Sequence, residues 1–505
     1  MKEVPQDWLA ARSALTPGAP ALQWGDRVVS YLSLNERAER LAGAFEQMGM
    51  GPGEVVAGLF QNGLELPVLF WALQKRGAVF LPLNWRLTPS ELAHPIADAG
   101  ARWVLHADDA LAESARRATQ EMGGRGLGAV SSEGQLTLEP MAEGSPWPPA
   151  SDLLRGAMAL LYTSGTSGQP KGAVLGPEAF EASAKGAAAL LGASAGDRWL
   201  ACMPLFHVGG LSILTRSCLY GGTAILHPGF DAAEVLYELE RSHVTHISLV
   251  ASMLDRILRL DESARAPASL RCALLGGGPT PAHLVDEAVE RGWPIASTYG
   301  LTEATSQVAT RPPAEVVSRP EEGLVPLPGN RIRILNPEGL DAPVGEAGEI
   351  WIAGPTLMRG YLGSTGRSSA PWFEAGFRTG DMGRLDEQGN LCVLDRRDDL
   401  IVSGGENVYP AEVEAVLLRH PAVAEVGVTG IPDSEFGARP VAHWVAAESD
   451  AEASDLAAYC RAELAGFKVP VAFYRCEALP RSASGKLLRR VLSERCAEPK
   501  GRAES

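Results

Sequence analysis

Four stretches carry residue types at spacings that could do chemistry. The first is Tyr162-Thr163-Ser164-Gly165-Thr166-Ser167-Gly168-Gln169-Pro170-Lys171-Gly172, which follows the apolar run Ala157–Leu161. A short buried strand entering a Ser/Thr/Gly loop with a lysine suits a polyphosphate. Gly165 and Gly168 let the backbone approach, the N–H groups and hydroxyls of Thr163, Ser164, Thr166 and Ser167 donate to phosphate oxygens, and Lys171 offsets charge. It is not a Walker A loop, since Gln169-Pro170-Lys171 stands where that motif needs Gly-Lys-Ser/Thr.

The second stretch is Ser297-Thr298-Tyr299-Gly300-Leu301-Thr302-Glu303. A carboxylate just past a hydroxyl, on a turn at a strand end, suits Mg²⁺ bridging phosphates, with Thr302 placed to donate to the α-phosphate. The third is Phe377-Arg378-Thr379-Gly380-Asp381 with Asp395-Arg396-Arg397-Asp398-Asp399. Asp381 at a glycine turn can accept two ribose hydroxyls, and Arg396 can reach the same sugar. The fourth is Leu479-Pro480-Arg481-Ser482-Ala483-Ser484-Gly485-Lys486, a lysine on a Ser/Gly loop able to meet an anion that develops during reaction. Each has a plainer reading alone: a flexible surface loop, a helix N-cap, a turn aspartate beside surface charges, an exposed lysine. Their joint presence weighs for the chemistry.

The elements that must position these residues alternate. A hairpin at 21–31 leads into a helix whose start reads as a capping box of Ser33 and Glu36 and whose end is Gly49. Strands at 55–59, 78–81 and 103–106 alternate with helices at 64–75 and 90–99. Residues 107–155 are weakly patterned, with Gly144–Pro149 as a surface connection. Beyond the loop, strands at 199–203, 222–226, 244–250 and 273–275 alternate with helices at 211–219 and 230–242. This predicts α/β architecture with doubly wound, mostly parallel sheets. From about 323 the pattern turns to β hairpins near 331–335, 348–352 and 391–394. The last stretch reads as a separate small α+β unit with a short polar tail from Glu498.

The chain has 505 residues, too many for one core, and 46% hydrophobic against 21% charged residues. A formal net charge of −16 argues against a nucleic-acid surface and requires a locally positive site for any polyanion. No apolar run reaches the ~20 residues of a membrane span, and the N-terminus lacks a basic-then-apolar signal. Seven cysteines without a C-x-x-C pair read as reduced, mostly buried residues of a cytoplasmic protein.

Taken in order, the four motifs resemble the acyl-adenylate-forming superfamily, and the resemblance runs from about residue 20 to 490. It implies a large domain at 1–394 holding the acid and ATP sites, a hinge at 395–400 turning at Asp398, and a mobile lid domain at 401–505 carrying Lys486. It also implies two half-reactions. A carboxylate first attacks the α-phosphate of Mg²⁺·ATP, giving an acyl-AMP and pyrophosphate while Lys486 bridges the reacting anions. The lid then turns, Gly404 and Gly405 line a channel for the thiol of coenzyme A, and the thiol displaces AMP. Gly277, with Tyr299 and Gly300, joins the nucleotide site by the same resemblance.

Met203-Pro204-Leu205-Phe206-His207-Val208-Gly209-Gly210-Leu211-Ser212 bears on the acid. In this superfamily an aromatic–His pair separates the acyl site from the CoA channel, which implies that role for Phe206 and His207. The double glycine is expected to leave room for a ring. With Ile247–Leu254, Leu275–Pro279 and Val402–Pro410, the segment is most similar to the o-succinylbenzoate–CoA ligases of menaquinone biosynthesis. Such a substrate has a second carboxylate needing a partner, because burying one unpaired is costly. Arg216, at i+4 from Ser212, is the candidate, with Ser248 and Ser252 as hydroxyl donors and Arg86 as a second cation. A helix-surface charge is the plainer reading of Arg216. Ala173–Glu178 departs from the superfamily by lacking a His-bearing turn. A general aryl or medium-chain acyl-CoA synthetase, and a carrier-loading enzyme without a CoA step, remain alternatives, and a homodimer stays open.

Overall fold

The computed structural model describes residues 7–107, 109–120, 126–139, 152–164, 170–260, 265–278, 280, 282–318, 323–363, 376–395, 400–447, 451–480, 487, 489 and 491–493. The Gly144–Pro149 connection, residues 165–169 of the phosphate loop, Arg396, Asp398, Lys486 and the polar tail from Glu498 lie outside them. The chain divides into two compact units. One comprises Met1–Trp85, Leu92–Tyr162 and Gly172–Leu394; the other comprises Arg86–Glu91, Thr163–Lys171 and Asp395–Ser505.

The first unit holds two large sheets. In an eight-stranded sheet, strands Val55–Leu59, Val79–Leu83, Trp103–His106, Gly126–Val130 and Ala159–Ser164 run parallel, and Pro170–Leu175 follows the last of them. Every residue of Val55–Leu59 and Val79–Leu83 is buried, as expected of parallel strands covered on both faces. Gly360–Tyr361 closes one edge, antiparallel to the strand after the phosphate loop. In a nine-stranded sheet, Arg198–Ala201, Thr223–Leu226, His246–Leu249, Cys272–Leu275 and Ile295–Leu301 are parallel, and Ser306–Arg311 returns antiparallel beside the last. Beyond them, the β character read from 323 onward is a four-stranded sheet of Arg331–Leu335, Gly348–Ala353, Phe377–Leu385 and Leu391–Asp395.

Two local expectations are corrected. The helix Tyr31–Gln47 is capped by Ser30, whose hydroxyl accepts from Ser33 N–H at 3.2 Å, and not by a Ser33–Glu36 box. The preceding strand ends at Ser30, so the helix starts directly from the hairpin and Ser33 lies inside it. The stretch read as weakly patterned contains a helix, Asp109–Thr119, and strands Gly126–Val130 and Leu136–Leu138. The helix buries Leu111 with three alanines (112, 115 and 118), too small to give a strong apolar period. The strand needs glycine, since a Cβ on Gly126 would stand 2.0 Å from the Trp103 ring.

The second unit is α+β. Strands Val423–Asp433 and Gly437–Ala446 form a long antiparallel pair flanked by the Ile401–Ser403/Glu406–Val408 hairpin and Phe473–Arg475. Helices Pro410–Leu417 and Ala453–Glu463 contribute to a core of its own that includes Leu417, Val428, Trp444 and Leu456. Of the cysteines, burial pushes the thiols of Cys202, Cys272 and Cys460 up to about 12, so they are inert apolar fillers. Among the described residues no helix is long and apolar enough to cross a membrane.

Candidate active site

The phosphate loop leaves the first large sheet at Ser164 and rejoins it at Pro170. Before the loop, the Tyr162 hydroxyl donates to Asp98 Oδ2 at 2.6 Å, and burial with the neighbouring carboxylate raises its pKa. That anchor fixes the strand end from which Thr163 and Ser164 depart. Lys171 is exposed on the return strand.

The second motif is not a helix N-cap. Strand Ile295–Leu301 ends in the single 3₁₀ turn Thr302–Ala304, and Leu301 at its start makes no side-chain cap bond. Thr305 and Ser306 follow at φ of 51° and 85°. Two consecutive left-handed residues that are not glycine are a strained arrangement of the kind that gathers at functional sites. Thr305 is held there by its hydroxyl, which donates to the Thr356 carbonyl at 2.8 Å. Gly300 is obligatory, because a Cβ there would lie 1.7 Å from the Ser306 carbonyl oxygen.

Side chains then join the motifs. The Tyr299 hydroxyl donates to Asp381 Oδ2 at 2.6 Å, which brings the second and third motifs together. The Tyr361 hydroxyl donates to Glu303 Oε1 at 2.6 Å, and Met358 N–H donates to the Glu303 carbonyl at 2.8 Å. From the same segment, Arg359 N–H and Leu362 N–H donate to the carbonyls of Val174 and Gly172, each at 2.8 Å. Glu303 is thereby tied to the strand that leaves the phosphate loop. Sequence reasoning missed Tyr361; a tyrosine beside a glycine carries no spacing signal of its own.

Hard oxygens on a turn fit Mg²⁺. Among the described residues no three His, Cys, Asp or Glu side chains gather as a metal cage, and Mg²⁺ commonly takes one or two carboxylates and fills its shell with phosphate oxygens and water. Tyr361→Phe is expected to weaken binding of metal–ATP about tenfold, the worth of one hydrogen bond to a charged group. Calorimetric titration with Mn²⁺·ATP reads this directly, and unchanged affinity would remove Tyr361 from the site.

Residues expected to meet the acid lie on and before helix Val208–Tyr220, whose N-cap is His207. Phe206 is buried, with its ring centroid 4.6 Å from that of His207. The two glycines differ. A Cβ on Gly209 would meet nothing closer than Met203 Cε at 3.9 Å, whereas on Gly210 it would fall 2.3 Å from the Pro204 carbonyl oxygen. Only Gly209 leaves room; Gly210 lets the helix pack on the Pro204–Leu205 turn. Gly277, at φ 83°, bends the chain after strand Cys272–Leu275.

Arg216 is not a surface charge. It is 5% exposed, and neither its Nε nor its Nη2 has a hydrogen-bond partner. One turn before it, the Ser212 hydroxyl is equally buried and unpartnered. Burial pushes the guanidinium down to about 10, so it stays charged at neutral pH. It lies over the Trp199 ring, 5.3 Å from the centroid. Ser248 is buried on its strand and Ser252 half-buried on the following helix. Arg86, the second cation expected for the acid, pairs through Nη1 with Glu406 Oε1 at 2.7 Å within the second unit. In that unit Gly404 and Gly405 form the hairpin turn at φ of 60° and 85°, a two-residue connection that demands left-handed backbone at both positions.

The chain matches known proteins along its length. A 2-succinylbenzoate–CoA ligase of Bacillus licheniformis is 39% identical over 490 residues, 96% of this chain and 99% of that protein. Among solved structures, the o-succinylbenzoate CoA synthetase (MenE) of Bacillus subtilis, as a double mutant bound with its product analogue OSB-NCoA, superposes with a TM-score of 0.85 at 36% identity, covering 97% of this chain and 98% of that one. The same enzyme with its acyl-adenylate intermediate OSB-AMP gives 0.68 at 36% identity over 98% of both chains. With ATP and magnesium ion it gives 0.68 at 37%, over 96% of this chain and 98% of that one. The models for the AMP-binding enzyme and for the AMP-binding enzyme C-terminal domain match residues 9–362 and 412–486, and the chain belongs to the AMP-binding enzyme family.

Proposed function

We propose that the protein is an ATP- and Mg²⁺-dependent ligase that joins 2-succinylbenzoate to coenzyme A in menaquinone synthesis in the cytoplasm. The observation that carries this reading is Arg216, a charged side chain buried with no hydrogen-bond partner at Nε or Nη2, on the helix that begins after Phe206 and His207 and contains Gly209. A buried unpaired cation is costly unless a ligand completes it. An aromatic acid with a second carboxylate supplies both the ring for the space at Gly209 and the anion for Arg216, Ser212, Ser248 and Ser252.

In the first half-reaction an oxygen of the other carboxylate attacks the α-phosphorus of ATP. The new bond is the acyl–O–P linkage of the acyl-AMP, and the bond to the departing pyrophosphate breaks. Thr163, Ser164, Gly165, Thr166, Ser167, Gly168 and Lys171 hold the phosphates, Thr302 donates to the α-phosphate, and Asp381 with Arg396 holds the ribose. When bound at Glu303, Mg²⁺ neutralises phosphate charge. Lys486 meets the charge that builds between carboxylate and phosphate. In the second half-reaction the CoA thiol loses its proton, its sulfur attacks the acyl carbon, and AMP leaves. His207 stands between the acid and the thiol, and the second unit turns at Asp398 so that Lys486 withdraws and Gly404-Gly405 line the thiol channel.

The test is pyrophosphate release with ATP, Mg²⁺ and CoA, comparing 2-succinylbenzoate with benzoate and octanoate. A preference of two decades for the diacid in kcat/KM, about 3 kcal/mol, is expected. Equal turnover of benzoate or octanoate would reduce the reading to a general acyl-CoA synthetase, and AMP release that ignores CoA would reduce it to an adenylating enzyme.

A further inference from the structure

Trp199 lies at the centre of the polar groups around Arg216. It sits on strand Arg198–Ala201, directly opposite His246 on the neighbouring parallel strand, and is buried at 7% exposure. Three contacts converge on its indole. Nε1–H donates to Ser248 Oγ at 3.0 Å, the Arg216 guanidinium lies 5.3 Å from the ring centroid, and the His246 imidazole stacks at 4.8 Å with the planes 20° apart. Burial pushes His246 down to about 4, so at neutral pH the imidazole brings no second positive charge beside Arg216.

These contacts have consequences for a ligand. A buried guanidinium with two unpaired donors needs something to hold its plane, and an aromatic face does so without consuming an N–H. Ser248 accepts from the indole, so its own proton is left to be donated. One side chain thus leaves both Arg216 and Ser248 as donors. On the side of Arg216 that faces helix Pro177–Leu191, a cavity of about 30 Å³ lined by Ala187, Leu191, Asp197, Trp199, Arg216 and Tyr220 among others has room for a water.

We infer that Trp199 is the positioning residue of a carboxylate-binding subsite, its face holding the Arg216 guanidinium and its N–H directing the Ser248 hydroxyl, so that it sets the preference for a diacid. This rests on the assignment of Arg216 to the second carboxylate made above.

The experiment compares kcat and KM for 2-succinylbenzoate and for benzoate in Trp199→Phe, Trp199→Leu and Arg216→Ala. Trp199→Phe keeps an aromatic face and loses only the donor; KM for the diacid is expected to rise about tenfold, with kcat and the benzoate KM unmoved. Trp199→Leu loses the face as well, and a further rise of about thirtyfold is expected. Should the leucine variant fail to fold, the phenylalanine variant with Ser248→Ala carries the test, since the two act on one hydrogen bond and their effects should not add. If Arg216→Ala separates the two acids while the Trp199 variants alter both acids alike, Trp199 is a core residue and the inference falls with the Arg216 assignment intact. If Arg216→Ala treats both acids alike, the assignment beneath fails and the inference with it.

Discussion

Replacing Arg216 by alanine is expected to raise KM for 2-succinylbenzoate by two decades or more and to leave KM for benzoate close to its original value. The magnitude follows from what remains behind. Without the guanidinium, the second carboxylate of the substrate enters a buried place lined by Trp199, Ser212 and Ser248 with no cation to meet it. Leaving one member of a buried charged pair unmatched costs on the order of 3–5 kcal/mol. The loss lies in binding, so kcat at saturation changes little. An equal loss for both acids would return Arg216 to a structural role.

The same substitution has a second, opposite readout. The guanidinium is held below its ordinary 12.5, at about 10, so the unfolded chain binds that proton more tightly than the folded one. At neutral pH this opposes folding by on the order of 3 kcal/mol, partly offset by the indole face, and the penalty fades only as pH rises above about 10. A neutral side chain of similar volume, Arg216→Met, should therefore melt higher without substrate, by roughly 1 °C per kcal/mol recovered for a unit of this size. Gain in stability with loss of diacid binding marks a residue kept for its ligand.

Lys486→Ala is expected to lower the rate of acyl-AMP formation about 10²–10³-fold and to leave thioester formation from supplied acyl-AMP and CoA nearly intact. A carboxylate approaching a phosphate brings two anions together, and a lone ammonium aimed at the charge between them is worth that much in a preorganised site. The second step forms no such charge at that place. Pyrophosphate release and acyl transfer, timed separately, decide it, and equal loss in both would overturn the proposed withdrawal of Lys486 between steps.

Much of this site was legible because its parts are contiguous in sequence. The phosphate loop and the Gly300–Glu303 turn each sit at the end of a strand whose apolar run announces it, whereas Gly380-Asp381, read as a turn, lies inside the continuous strand Phe377–Leu385, where Gly380 at φ 75° takes up a shift of register against Gly348–Ala353. The alternation of strands and helices carried the two sheets for the same reason. What escaped was pairwise and distant. Nothing along the chain tells that Tyr361 donates to Glu303, or that Tyr299 donates to Asp381, because each contact joins elements that only the fold brings together. Arg216 could be placed on the Ser212 face by its spacing, but its burial needed the strand that carries Trp199. Gly210 was misread because close packing and open space look alike in a sequence: both ask for a residue without a Cβ.

The segment Met358–Leu362 holds Glu303 and the exit of the phosphate loop through main-chain hydrogen bonds, three of them at 2.8 Å, with one side-chain bond from Tyr361. Main-chain bonds are indifferent to which side chains the segment bears. The side chains add their own constraints, since Met358 is buried and Arg359 pairs with both carboxylate oxygens of Glu178 at 2.7 and 3.0 Å, but the spacing between Glu303 and the phosphate loop is set by the main chain. An insertion of a single residue here, by contrast, would shift the register on one side only and pull the two halves of the nucleotide site apart. The strap therefore acts as a gauge whose length, set by main-chain bonds, matters more than any one of its side chains.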